Sequence, residues 1–292
     1  MKWVRAAVLA LCVAALLICG GTVNKYVEVM AAIKAFNELV ERGTGYLEAT
    51  VTGPDEVTVT GSVKGSCPSF DLNSIQKVIW KATLIDDLSR IGYCAMNINC
   101  DIEFSQGTHI QNIVIYAYED VSISGGTIEK SEIVCYGELR VTGGTVSGNI
   151  QANCIGMVVS GGTVEGIAND KIVASQLLIT GGTVIGRLFG YDSVRIMGGE
   201  ICAKWIRSQE AVYIGGDTIL NVEEGIRAPK VHVEPSVKKI EKPKHIVEQG
   251  DTLWDLARHY LGDGTRWIEI QNANGIAPDW LRPGMEIIIP DF

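Results

Sequence analysis

One pattern of apolar and small residues recurs through the middle of the chain. It reads Ile123-Ser124-Gly125-Gly126-Thr127-Ile128, then Val141-Thr142-Gly143-Gly144-Thr145-Val146, Val159-Ser160-Gly161-Gly162-Thr163-Val164 and Ile179-Thr180-Gly181-Gly182-Thr183-Val184. Weaker copies are Ile196-Met197-Gly198-Gly199-Glu200-Ile201 and Ile214-Gly215-Gly216-Asp217-Thr218-Ile219. The leading apolar residues are 18, 18, 20, 17 and 18 positions apart. A fixed period with small insertions marks a solenoid. Each copy holds two short β-branched stretches around a Gly-Gly corner. A third follows, such as Ile133-Val134-Cys135 or Ile172-Val173-Ala174. Three short strands per repeat make one coil of a parallel β-helix, with coils about 4.8 Å apart. Ile123, Val141, Val159, Ile179, Ile196 and Ile214 are predicted to form one inward ladder. Ile128, Val146, Val164, Val184, Ile201 and Ile219 form a second, and Thr127, Thr145, Thr163 and Thr183 a hydroxyl ladder.

Less regular coils precede these. Ile102-Glu103-Phe104, Gly107-Thr108 and Ile113-Val114-Ile115 fit one, while Val57 to Val63 and Val78 to Leu84 fit earlier ones. The solenoid is expected over 44–234. Residues 22–43 carry apolar positions at helical spacing (Tyr26, Val29, Met30, Ile33, Phe36, Leu39, Val40) and Gly43 as a stop. That amphipathic helix is expected to cap the solenoid. The alternative is a stalk leading to a membrane anchor. Residues 235–244, with Pro235, Pro243 and four lysines, read as a stiff, solvated linker.

The pattern changes over 245–292. Ile246 to Glu248 is a short strand, broken by Gly250-Asp251-Thr252. Leu253, Leu256, Ala257 and Tyr260 form one helix face, and Asp251 or Thr252 is its cap. Gly262-Asp263-Gly264 ends that helix. Thr265 starts a second with Trp267, Ile268 and Ile270, and Ile287-Ile288-Ile289 is a closing strand. The segment His245-Ile246-Val247-Glu248-Gln249-Gly250-Asp251-Thr252-Leu253-Trp254, with Asn274-Gly275-Ile276 and Leu281-Arg282-Pro283-Gly284, closely resembles the LysM module in this β-α-α-β order. The resemblance implies binding of N-acetylglucosamine polymers, usually peptidoglycan or chitin. It places the sugar between the first strand-helix turn (Gly250, Asp251, Thr252, Leu253) and the loop after the second helix (Asn274, Gly275, Ile276, Pro278, Leu281). Backbone amides would bond the acetyl oxygen, over an apolar floor of Ile276 and Leu281. Trp280 adds a stacking face or joins the core. Asp251, Thr252 and Asn274 equally suit plain helix capping. Met285 stands where the family often has Gln.

The chain is mainly β, a parallel β-helix with an N-terminal helix and a small βααβ LysM domain. Its formal net charge is −9 over 292 residues, and nothing in the sequence supplies the basic stripe that nucleic-acid phosphates require, so no nucleic-acid partner is expected. Residues 1–21 combine Lys2 and Arg5 with an apolar run from Ala6 to Ile18, an export signal or an uncleaved anchor. The lipoprotein alternative is weakened by Ile18 before Cys19, where a small residue is usual. Outside that segment lie Cys67, Cys94, Cys100, Cys135, Cys154 and Cys202. They form no C-x-x-C pair, and buried apolar thiols are favoured over disulfides. No metal or cofactor is expected.

The resulting expectation is a non-catalytic, exported protein of the cell wall or envelope, or an extracellular one. Its partner is a peptidoglycan or chitin-like glycan, with membrane contact only through an N-terminal anchor. The β-helix would be a spacer or display scaffold. Two alternatives stay open. The solenoid resembles pectate lyases and polygalacturonases, which implies a polysaccharide lyase or hydrolase tethered by LysM. A cleft of stacked carboxylates would favour that reading. The Tyr260-Leu261-Gly262-Asp263-Gly264-Thr265-Arg266-Trp267 stretch is similar to modules in phage tail and baseplate components. Asp86-Asp87 and Glu223-Glu224 are expected as solvated loop charge, not catalytic acids.

Overall fold

The computed structural model describes residues 27–39, 44–65, 70–73, 77–86, 94–166, 171–239, 244–277 and 280–290. The chain divides into two compact units, Met1–Lys238 and Lys239–Phe292. It is mainly β, with 59% strand, and the larger unit is a β-solenoid of about 9 turns.

Each regular coil contributes three strands that pair in parallel with the same strands of the next coil. The strands Val121–Ile123, Glu138–Val141 and Gly156–Val159 exemplify the first face. The predicted first ladder is continuous. Ile123, Val141, Val159, Ile179, Ile196 and Ile214 pair in register and are fully buried. It extends back through Phe104, Trp80 and Val59, and forward to Val233. The weak early repeats therefore keep the ladder register while losing both the Gly-Gly signature and the even spacing.

The second ladder runs from Val63 through Leu84, Ile110, Ile128, Val146 and Val164 to Val184. In the final copy it departs from expectation. Ile201 pairs with Leu220, and Ile219 lies outward, 37% exposed. The register shifts between Ile196 and Gly198, because the corner Gly215-Gly216-Asp217-Thr218 carries one extra residue. One inserted residue exchanges the inward and outward side chains that follow. Buried Thr218 compensates by donating its hydroxyl to the Gly215 carbonyl at 2.6 Å.

The corner needs glycine twice, for different reasons. Gly144 has φ +75°, and a Cβ there would lie 2.6 Å from the Gly126 carbonyl oxygen. Its neighbour Gly143 would bring a Cβ to 2.5 Å from the Ser124 carbonyl oxygen. Stacked corners thus exclude side chains from one another at the coil spacing.

The third face carries Met96, Ile115, Ile133, Ile150, Ile172 and Leu188 inward. Beside them runs a column of mostly small residues: Ile98, Ala117, Cys135, Ala152, Ala174, Gly190. Cys135 therefore fills a small apolar position. Burial pushes the Cys135 and Cys100 thiols up to about 12, which keeps both protonated. Cys100, Cys135 and exposed Cys154 are free thiols, and Cys94 is buried. Cys67 lies outside the described residues.

The N-terminal end is closed by unlike elements. Strand Thr44–Gly53 runs antiparallel to Glu56–Gly65, so 44–53 is a hairpin arm and not a coil. Helix Val27–Leu39 buries Val29, Ile33 and Phe36 in the solenoid core, while Met30, expected on that face, is 46% exposed. Asn37 accepts from the Leu47 amide at 2.9 Å and donates to its carbonyl at 2.7 Å, covering that strand's free edge. Tyr26, Val40 and the export segment lie outside the described residues. At the other end Val237 is buried in the solenoid core, and Lys238–Lys239 still pairs with strand Ala211–Val222. Among the described residues, no helix is long and apolar enough to cross a membrane.

Candidate functional site

The smaller unit is built in the order β-α-α-β. Strand Lys244–Ile246 pairs antiparallel with Glu286–Ile288. Between them lie helix Leu253–Tyr260, a 3-10 turn at Gly264–Arg266 and helix Trp267–Asn274. Val247, Leu253, Leu256, Ala257, Leu261, Ile270, Ile287 and Ile289 form a separate core. Ile276, Leu281 and Met285 pack against it, half-buried. The two loops expected to hold a sugar thus rest on one core.

The polar side chains of those loops already have internal partners. Thr252 caps the first helix, accepting from the Asp255 amide at 3.1 Å and donating to its carboxylate at 2.7 Å. Asn274 donates to the Ile270 and Ile288 carbonyls at 2.8 and 2.7 Å and accepts from the Ile288 amide at 2.7 Å. It pins the second helix to the closing strand. Asp251 accepts from the Glu248 amide at 2.7 Å and from His245 at 2.6 Å. These bonds, the Glu248 amide first, hold its carboxyl below the usual carboxylate range.

Leu253 is buried in the core. Gly275 is the left-handed helix end, at φ 62°. Gly250, at φ +103°, has nothing within 4 Å of where a Cβ would stand. Trp280 is 62% exposed, which decides between its two readings in favour of a surface face. Pro278 lies outside the described residues. The Asp251, Gly275, Ile276 and Trp280 amides are also taken, donating to the Glu248, Asn272, Gln271 and Ala277 carbonyls, so what these loops offer a ligand is the half-buried edges of Ile276 and Leu281 and an open indole. That set suits a neutral sugar better than a charged ligand.

A second feature lies on the solenoid's outer surface. Lys77, Asp101, Asp120, Ser122, Glu138 and Arg140 line an open groove of about 380 Å³. Its acids stand on successive coils. Asp101 accepts from the Asp120 amide at 3.3 Å, and Asp120 accepts from the Glu138 amide at 2.8 Å. Glu138 pairs with Arg140 at 2.6 Å. Beside the groove Glu103 pairs with Lys77 and accepts from Ser124 at 2.6 Å. Those bonds lower the Glu103 carboxyl below its usual range, so it serves as an acceptor. Asp101, Asp120 and Glu103 bind coil to coil, while Glu138 pairs within its own strand. The sequence did not single them out, because each is an isolated acid whose neighbours come from adjacent coils, a relation that only the coil register shows.

The paired acids singled out in the sequence behave differently from each other. Asp86 ends strand Thr83–Asp86 and is buried, not solvated. Asp87 lies outside the described residues. Glu223 and Glu224 are exposed at a bend, and Glu224 faces Lys204 at 3.4 Å. Among the described residues, no group of three or more His, Cys, Asp or Glu side chains is arranged to hold a metal.

No curated protein and no solved structure matches the chain. LysM domains bind N-acetylglucosamine glycans such as peptidoglycan or chitin, and they occur in extracellular or cell-wall proteins. The βααβ order, the capped first helix and the shared core of the smaller unit coincide with the match of residues 245–290 to the LysM family model, so this chain carries a LysM domain C-terminal to a parallel β-solenoid.

Proposed function

We propose that this protein is an exported, non-catalytic component of the cell envelope. Its LysM domain holds it on peptidoglycan or a related N-acetylglucosamine polymer, and its solenoid serves as a spacer or display scaffold. The observation that carries this is the LysM domain itself, with loops that expose an indole and the half-buried edges of Ile276 and Leu281 while their polar side chains are internally occupied. The sugar contacts are assigned to the backbone of Gly250, Asp251, Thr252, Asn274 and Gly275, the edges of Ile276 and Leu281, and the face of Trp280. Leu253 supports them from within, and Pro278 is assigned to the same site by its place in the sequence. The Pro/Lys-rich 235–244 linker is assigned as the first point of protease cleavage, near Lys238, Lys239, Lys242 or Lys244.

The test is retention of the full chain on insoluble peptidoglycan and on chitin. Trp280→Ala with Ile276→Ser should lower retention about tenfold or more without unfolding the domain, since neither side chain is fully buried. Thr252 is unsuitable for this purpose, because its loss also removes a helix cap. Unchanged retention refutes the site, and no retention of the wild type refutes the function.

The groove at Asp120 and Glu138 favours a second reading, a polysaccharide-active enzyme tethered by LysM. Against it stands the engagement of each acid: Asp101 and Asp120 with the next coil, and Glu138 with Arg140 of its own strand. Release of reducing or unsaturated sugars by the wild type, abolished by Asp120→Asn with Glu138→Gln, would establish it.

A further inference from the structure

The turn Gly250-Asp251-Thr252 has little apolar packing to hold it. Gly250 stands in open space, and Asp251 and Thr252 are polar. Its position is set by hydrogen bonds, and two of them meet at one oxygen. Asp251 Oδ2 accepts from the Glu248 amide and from His245 Nε2. His245 sits in a paired strand, opposite Ile287, so its backbone is fixed by the sheet. Its other nitrogen, Nδ1, lies 3.1 Å from the Tyr260 hydroxyl in the last turn of the first helix. The two rings meet at 5.7 Å with their planes 63° apart.

The donor pattern follows from the acid. An ionised carboxylate only accepts, so Nε2 carries the proton directed at Asp251. In the neutral ring Nδ1 then accepts the Tyr260 proton. The imidazole thereby ties three elements together: strand, turn and helix end. The side chains of His245 and Asp251 are 18% and 24% exposed, so the pair is only partly screened by water.

We propose that His245, backed by Tyr260, is the positioning residue for the Gly250–Thr252 edge of the glycan site. This rests on the LysM domain being the glycan binder. His245 touches no sugar in this assignment. It fixes the direction of the turn amides through Asp251.

The experiment compares wild type, His245→Ala, His245→Gln and Tyr260→Phe in the full chain. Deuterium exchange of peptides spanning 246–252 is measured without ligand. Affinity for an N-acetylglucosamine pentamer and retention on peptidoglycan are measured separately. His245→Ala should speed exchange of the Glu248 amide about tenfold or more and weaken the pentamer by a similar factor. His245→Gln, which returns an N–H donor toward Asp251, should restore both to within about threefold. Tyr260→Phe keeps the ring packing and should show a smaller change in the same direction. It keeps the test decisive if the alanine variant does not fold. Unchanged exchange overturns the inference, as does faster exchange with unchanged affinity. So does equal loss of affinity in the alanine and glutamine variants with exchange unaltered. A wild type that binds neither glycan overturns the proposed function and this inference together. Wild-type binding left intact in every variant overturns this inference alone.

Discussion

In the solenoid, a residue's closest neighbours are its own counterparts one coil away. In the LysM domain they are unlike residues brought together once. Val159 packs between Val141 and Ile179, and Gly144 between Gly126 and Gly162. Asn274 instead joins a helix to a strand by three bonds that nothing repeats. Repetition lets burial do the holding in the first case. A small core makes single polar side chains matter in the second.

The sharpest way to break the comparison is Val159→Asp. Val159 is fully buried between apolar neighbours, so the charge would have no partner. Loss of stability should be about 4 kcal/mol or more, read as a collapse of the solenoid melting transition. A soluble solenoid with an unchanged transition would mean that the ladder is misassigned.

Next come two glycine replacements. Gly144→Ala meets both positive φ and a carbonyl at 2.6 Å, and should cost about 3 kcal/mol. Gly250→Ala meets only positive φ, because its surroundings are open, and should cost about 1 kcal/mol. Equal effects in denaturant titrations would erase the contrast between stacked and solitary turns.

Asn274→Ala should destabilise the LysM domain by about 2 kcal/mol through the unpaired Ile288 amide and carbonyl groups. It should leave the solenoid transition in place. A parallel shift of both transitions would contradict separate cores.

The acid response is the gentlest probe. The Asp251 carboxyl is lowered by the Glu248 amide and by His245. A lowered folded-state value adds stability above the ordinary carboxylate value of 3.8 and loses it as pH falls through the folded value. The domain's melting temperature should therefore fall below about pH 4, and Asp251→Asn should flatten that part of the slope. An identical slope in the variant would remove Asp251 as a contributor.

Much of the solenoid was readable because its signal is copied. The Gly-Gly-Thr corners fix the phase of Ile123 and its successors, and that phase carries back to Val59. Reading failed where a copy changed length. The extra residue in the last corner turned Ile219 outward, and a β-branched residue at the right spacing gives no warning of a bulge. The arm Thr44–Gly53 alternates like a coil strand, so its antiparallel return was invisible. In the LysM domain the element order and the Thr252 cap were legible from local chemistry. The His245–Asp251–Tyr260 contact was not, because it depends on how the strand, turn and helix close on one another. The Asp101–Asp120–Glu138 groove joins isolated acids 19 and 18 positions apart, which only the coil register brings together.

The double glycine corner also bears on how such a chain can change over evolutionary time. Each corner is shaped to admit another like it, above or below. Duplication of one whole repeat would therefore insert a self-matching slice and lengthen the rod by about 4.8 Å. Insertions that are not a full repeat must be absorbed as bulges, as at Gly215–Thr218. Length in this protein is thus a counted quantity, and relatives should differ by whole coils, in steps near 18 residues.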